Sequence, residues 1–151
     1  EHLISPVDCG CAEASLEQHP ALNLPRMCVT AKQPPLTDES IEDFLGFIGQ
    51  VLDREEAFSV LWNVRGGAFP SMKQFKRVVG WLEEDNRAER WDALVQGNVG
   101  VIRNPILRAT AKLMTTISRP PQPFHVCSTE EQAVDFARET FTEAKSWGKS
   151  S

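Results

Sequence analysis

Apolar residues recur at helical spacing in four parts of the chain, and each part opens with a helix-capping signal. The signals are Thr37-Asp38-Glu39, Ser71, Asn104-Pro105 and the capping box Ser128-Thr-Glu-Glu131. We therefore predict four helices, each burying one face. The residues predicted to face inward are Ile41, Phe44, Leu45, Ile48 and Leu52 in the first helix, Met72, Phe75, Val78, Val79 and Leu82 in the second, Ile106, Thr110, Leu113, Met114 and Ile117 in the third, and Val134, Phe136, Ala137 and Phe141 in the fourth.

Runs of β-branched and aromatic residues alternate with these helices. Such alternation is typical of a parallel sheet with right-handed crossovers. We expect an α/β domain with a four- to five-stranded, mainly parallel sheet and about four helices packed on it. The predicted strands are Arg26–Lys32, Ala57–Val64, Val95–Ile102 and Phe124–Cys127, with a further short strand within Val7–Ala14. Two glycines in the third of these, Gly97 and Gly100, indicate a bulge or close packing.

The pattern divides the chain into three parts. Residues 1–34 are predicted to be an irregular segment with one or two strands that complete the sheet. Residues 35–144 are predicted to form the α/β domain, and residues 145–151 a polar tail.

Composition narrows the class of protein. The 151 residues are 41% hydrophobic and 25% charged, which excludes a wholly disordered chain. The net charge of −5 disfavours a nucleic-acid binder, and no apolar run reaches the roughly 18–20 residues of a membrane span. Since the chain starts at Glu1 without Met, we expect a processed protein of a soluble compartment. That compartment would be the cytoplasm, or an organellar stroma or matrix after removal of a targeting segment.

The four cysteines, Cys9, Cys11, Cys28 and Cys127, are too few for a disulfide scaffold. We expect reduced thiols, no metal and no cofactor. A metal site or a disulfide among Cys9, Cys11 and Cys28, with His19 nearby, stays open, although Cys-x-Cys is not the usual zinc spacing.

Three stretches carry a resemblance to a known family: Phe58-Ser-Val-Leu-Trp-Asn-Val-Arg-Gly66, Asp92–Ile102 and Phe124–Ala133. The chain from Thr37 to Phe141 resembles STAS-like domains of the anti-sigma factor antagonist subgroup, which is related to the CRAL-TRIO fold. The resemblance implies a STAS-like fold and a non-catalytic protein-binding module. Antagonists of that family carry an aspartate after the third strand and a phosphorylatable serine at the next helix start. This chain has Asn63 at the first place, and Ser71 followed by Met72 at the second.

Ligands of open parallel sheets bind beyond the carboxyl ends of the strands. A nucleophile beside a base, or a pair of carboxylates, is not predicted at that edge, so we expect no enzyme activity. We expect the edge to bind a protein, because basic residues follow the predicted strand Val95–Ile102, with no acid between Asp92 and Glu130. The predicted partner-binding residues are Arg65, Gly66, Gly67, Phe69, Ser71, Arg103, Arg108, Lys112 and Trp147.

The sequence thus predicts an adaptor, or an accessory subunit of a larger assembly, that contacts an acidic protein and no nucleic acid. Self-association is a further option, because the first helix is acidic where the third is basic. The alternative function is a small-molecule carrier that holds an apolar or anionic ligand in a CRAL-TRIO-like pocket of roughly 300 Å³ or more.

Overall fold

The computed structural model describes residues 2–10, 12–32, 37–64, 71–106, 108–109, 112 and 124–149. A six-stranded sheet has its strands in chain order from one edge to the other. The two N-terminal pairs are antiparallel and the next three pairs are parallel. The α/β class is confirmed, whereas the sheet is mixed and has more strands than predicted. The strands are β1 (His2–Asp8), β2 (Ala12–Gln18), β3 (Pro25–Ala31), β4 (Phe58–Val64), β5 (Val95–Ile102) and β6 (Phe124–Cys127).

The additional strand comes from a turn inside the stretch predicted as Val7–Ala14. Gly10 has a φ of +82°, and its N–H donates to Oδ1 of Asp8 at 2.8 Å. Glycine adopts this backbone conformation without steric cost, so the chain reverses here and forms two antiparallel strands. Residues 2–31 therefore contain three strands, where the sequence predicted one or two in residues 1–34.

Helices connect or follow the parallel strands. They are α1 (Asp38–Asp53), α2 (Met72–Glu83), a 3₁₀ turn (Glu84–Asn86), α3 (Arg87–Leu94) and α4 (Glu130–Lys149). Residues 105–106, 108–109 and 112 are also helical, between β5 and β6. The break between α2 and α3 lies at Asp85 and Asn86, whose positive φ angles suit short polar side chains. Among the described residues, no helix is both long enough and apolar enough to cross a bilayer.

The sheet buries a different cluster on each face. Successive residues of β4 point to opposite faces, so Val60 packs with α1 while Leu61 packs with α4. The α1 face includes Ala14, Leu16, Met27, Ile41, Leu45, Phe47, Leu52, Phe58 and Trp81. The α4 face includes Leu22, Leu24, Val99, Val101, Cys127, Ala133, Ala137 and Phe141.

Three residues predicted to face inward are exposed instead: Met72, Val79 and Ile106. In α2 the buried contacts are made by Trp81, with Val78 and Leu82 packed beside it. Since α2 rests mainly on α1 and α3, its buried face is narrow, and Met72 and Val79 lie seven residues apart on the solvent side. The predictions for Thr110, Leu113, Met114, Ile117 and the side chain of Phe75 lie outside the described residues.

Candidate functional site

The carboxyl ends of β3, β4, β5 and β6 share one edge of the sheet, and a helix begins after each of them. Each helix start has a side-chain cap on a backbone N–H. Thr37 accepts from Ser40 at 3.0 Å, Ser71 from Gln74 at 3.1 Å, Asn104 from Ile106 at 2.9 Å, and Thr129 from Gln132 at 3.2 Å. A capping residue next to each helix in the sequence thus fixes where that helix begins.

Ser71 is the cap of α2, as predicted. The side chain of Gln74 also accepts from the backbone N–H of Ser71, which completes a capping box. For the last helix the predicted cap was one residue too early. Thr129 is the capping residue, while the N–H and the hydroxyl of Ser128 both donate to the side chain of Gln132.

Asn63 and Glu130 join the end of β4 to the start of α4. Asn63 is buried, and its Nδ2 donates to Oε1 of Glu130 at 3.1 Å. Next to them, the thiol of Cys127 donates to the carbonyls of Thr129 at 3.3 Å and Gly100 at 3.6 Å. Burial raises the pKa of Cys127, so this thiol stays protonated at physiological pH.

The cations predicted at this edge have different environments. Arg103 is exposed, whereas Arg108 is half-buried and its Nη1 donates to the carbonyls of Ile102 at 3.1 Å and Arg103 at 3.3 Å. Arg108 therefore stabilises the backbone at the carboxyl end of β5. Lys112 is exposed, and its charge, together with the larger effect of burial, lowers the pKa of His125.

The other predicted partner-binding residues are not placed by the structure. Arg65, Gly66, Gly67 and Phe69 lie outside the described residues, as does the side chain of Trp147. Helix α4 itself continues to Lys149, through positions 145–149 of the predicted polar tail.

Sequence reasoning missed the exposed apolar residues of this edge. Met72 is 70% exposed and Ile106 is 76% exposed, each in the first turn after a capping residue. Lys73 directly follows Met72, and the exposed Arg103 lies three residues before Ile106. The periodicity that placed both residues inward identifies a helix face and does not say where along the helix the burial stops.

Charge varies along the edge from one helix start to the next. The outer helices α1 and α4 have acids in their first turns, Asp38-Glu39 and Glu130-Glu131. Helix α2 has no acid in its first turn. We name the middle of the edge the central rim, and we define it by Ser71, Met72, Lys73, Arg103, Asn104 and Ile106.

A second polar cluster lies away from this edge, on the α4 face of β2 and β3. Arg26 pairs with Glu17 at 2.8 Å, and the thiol of Cys28 donates to the same carboxylate at 2.9 Å. Burial is the largest of the effects that raise the pKa of Cys28 to about 12, and the Glu17 carboxylate adds to it. The side chain is therefore a neutral thiol at physiological pH.

His19 closes the loop between β2 and β3. Its Nδ1 accepts from the backbone N–H groups of Ala21 at 3.0 Å and Leu22 at 3.1 Å. Burial, with a further contribution from Arg26, lowers the pKa of His19 to about 4. A neutral imidazole with its Nδ1 occupied is a structural acceptor here.

The sequence leaves metal binding open for three cysteines, Cys9, Cys11 and Cys28. Within the described parts of the chain, no three His, Cys, Asp or Glu side chains are grouped as ligands, and Cys9, Cys28 and Cys127 are not in disulfides. Cys11 lies outside those parts.

Comparison with known proteins identifies no relative: no family model, curated protein or solved structure matches this chain.

Proposed function

We propose that this chain is a STAS-like protein–protein interaction module, an adaptor or an accessory subunit, that binds an acidic protein through the central rim. The chain order of the sheet and the helix after each of β3 to β6 support the STAS-like interpretation. The resemblance in β4, β5 and β6 supports it as well, because these strands form the parallel half of the sheet.

The observation that carries the proposal is the exposure of Met72 and Ile106 at neighbouring helix starts. Strands β4 and β5 are adjacent and parallel, so their carboxyl ends lie side by side at this edge. An exposed apolar patch with a polar rim is typical of a protein-interaction surface. Burial of Met72 and Ile106 by a partner would add about 3 kcal/mol or more of favourable transfer free energy.

Charge indicates the kind of partner. The central rim contributes Lys73 and Arg103; Lys73 is 87% exposed and makes a long ion pair, 3.9 Å, with Asp38 at the start of α1, and Arg103 is exposed. Acids at the starts of α1 and α4 lie on either side of it. A partner segment with carboxylates around an apolar residue matches this arrangement, and the outer acids disfavour a shifted position.

Site-specific photo-crosslinking tests the proposal in cells of the source organism. A photoreactive residue at position 106 or 72 is expected to give one adduct of the same mass with another protein. Position 3 is the matched control, because Leu3 is also an exposed apolar residue (40%). It lies on β1, the outermost strand of the sheet, which β2 and β3 separate from β4. Adducts formed equally at all three positions, or an adduct with a second copy of this chain, would contradict the proposal.

A further inference from the structure

A small cavity lies between β3, β4 and α4. Its walls are mostly apolar and include Leu61, Val99, Ala137 and Phe141. Three polar side chains also line it: His19, Arg26 and Ser59. The cavity is partly open to the surface, and its volume of about 10 Å³ is close to the minimum that holds one water molecule.

Two hydrogen-bond donors of the residues that line this cavity, on Arg26 and Ser59, lack a good acceptor. Nε of Arg26 is buried and has no hydrogen-bond partner among the described residues. Ser59 is the direct neighbour of Arg26 across the β3–β4 pair, and its buried hydroxyl has only a long contact, 3.5 Å, with the carbonyl of Pro25. His19 uses Nδ1 as an acceptor, so its proton is on Nε2, which is a third donor.

A buried N–H of a charged group that lacks a hydrogen-bond partner destabilises the fold, because its lost hydration is not replaced. Native proteins avoid this cost by placing ordered water at such sites. From the donors and the volume we infer that the cavity is a binding site for one internal water molecule, which accepts from Nε of Arg26 and exchanges a hydrogen bond with the hydroxyl of Ser59. The water would join β3 to β4 beneath the loop closed by His19.

The charge balance favours water over a small anion. The guanidinium of Arg26 is already paired with Glu17 at 2.8 Å, and the imidazole of His19 is neutral. An anion would therefore enter an apolar cavity without a net positive charge to offset its desolvation, which is strongly unfavourable. A neutral ligand that both accepts and donates is the chemistry that fits.

A crystal structure of the full chain at about 1.5 Å, with and without a bromide soak, tests the site directly. We expect one density peak within hydrogen-bonding distance, about 2.7–3.2 Å, of both Nε of Arg26 and Oγ of Ser59, with no anomalous bromide signal. A cavity without a peak would overturn the inference. A bromide signal at that position would also overturn it, because it would identify an anion site.

Water-¹⁷O magnetic relaxation dispersion tests the same site in solution by counting long-lived internal water molecules. Arg26→Lys removes Nε but keeps a charge for Glu17, and Ser59→Ala removes the hydroxyl. Each variant is expected to lose one long-lived water, and the double variant also only one. Ser15→Ala is the matched control, because Ser15 is a buried serine on the same sheet face and does not line this cavity. An unchanged count in both single variants would contradict the site, and the crystal experiment stands if a variant fails to fold.

Discussion

Asn63 and Glu130 are 67 residues apart in the chain and are joined by a hydrogen bond of 3.1 Å from Nδ2 to Oε1. The bond connects the carboxyl end of β4 to the first turn of α4. Asn63 is almost fully buried. The bond gives a physical reason for an amide, and not a carboxylate, at position 63. Two carboxylates at this distance would repel each other, whereas the amide donates to the carboxylate.

Replacement of Asn63 by aspartate should therefore destabilise the fold. For Asn63→Asp we expect the free energy of unfolding to fall by about 2–3 kcal/mol at pH 7, because a buried carboxylate would face Glu130. Urea denaturation monitored by circular dichroism measures this change.

A second substitution separates charge repulsion from loss of packing. In the Glu130→Gln background the same Asn63→Asp change is expected to cost about 1 kcal/mol less, because glutamine can donate to the new carboxylate. Equal costs in the two backgrounds would mean that the bond between Asn63 and Glu130 does not explain the amide.

Gly97 allows the ring of Phe141 to lie directly on β5. A Cβ at position 97 would overlap the Cε1 and Cζ atoms of that ring, whereas a Cβ at Gly100 of the same strand would meet no atom within 4 Å. We expect Gly97→Ala to lower the free energy of unfolding by about 2 kcal/mol or more. Gly100→Ala is the matched control and should be neutral, or stabilising by up to about 1 kcal/mol.

Replacing the Phe141 ring by a smaller side chain tests whether overlap with that ring causes the loss of stability in Gly97→Ala. In a Phe141→Leu background, Gly97→Ala should cost clearly less than it does in the wild-type chain. The same cost in both backgrounds would show that the strain arises elsewhere.

The lowered pKa of His19 predicts how the free energy of unfolding changes with pH. Its pKa is lowered to about 4 in the fold from an ordinary value of 6.5, so the unfolded chain binds the proton more readily. The contribution of His19 to the free energy of unfolding is complete above about pH 6.5 and is lost as the pH falls toward 4. Between pH 7.5 and 5 we expect the free energy of unfolding to fall by about 2 kcal/mol because of this group.

His19→Asn isolates that contribution. The side-chain oxygen of asparagine can accept the same two backbone N–H groups, but it does not titrate. Urea unfolding at both pH values should show a smaller loss in the variant, and the contribution from His125 remains in both proteins. If wild type and variant lose the same free energy, His19 is not the group responsible.

Local sequence signals identified much of the architecture. Thr37 and Ser71 cap the helices that were predicted to follow them, and β3 to β6 lie within one residue of the predicted strands. These signals depend on hydrogen bonds within a few residues or on strict periodicity, so they can be recognised in the amino-acid sequence alone. Gly97 also marks close packing as predicted, although the partner ring could not be named.

Features that depend on distant segments could not be predicted. The bond from Asn63 to Glu130 requires α4 to return over the sheet, and the exposure of Met72 depends on how α2 rests on α1 and α3. Periodicity reports that a face is apolar but not which of its residues a neighbouring element covers. The candidate site therefore combines a predicted edge, with Ser71 and Arg103, and apolar residues that only the fold reveals.

We propose that Met72 and Ile106 anchor an acidic protein at the central rim. The most direct measurement is the affinity of the crosslinked partner, once purified, for this chain by isothermal titration calorimetry. We expect the double substitution Met72→Glu and Ile106→Glu to weaken binding by about 100-fold or more, and Leu3→Glu to leave it within about twofold. An unchanged affinity in the double variant, or an equal loss in Leu3→Glu, would contradict the account.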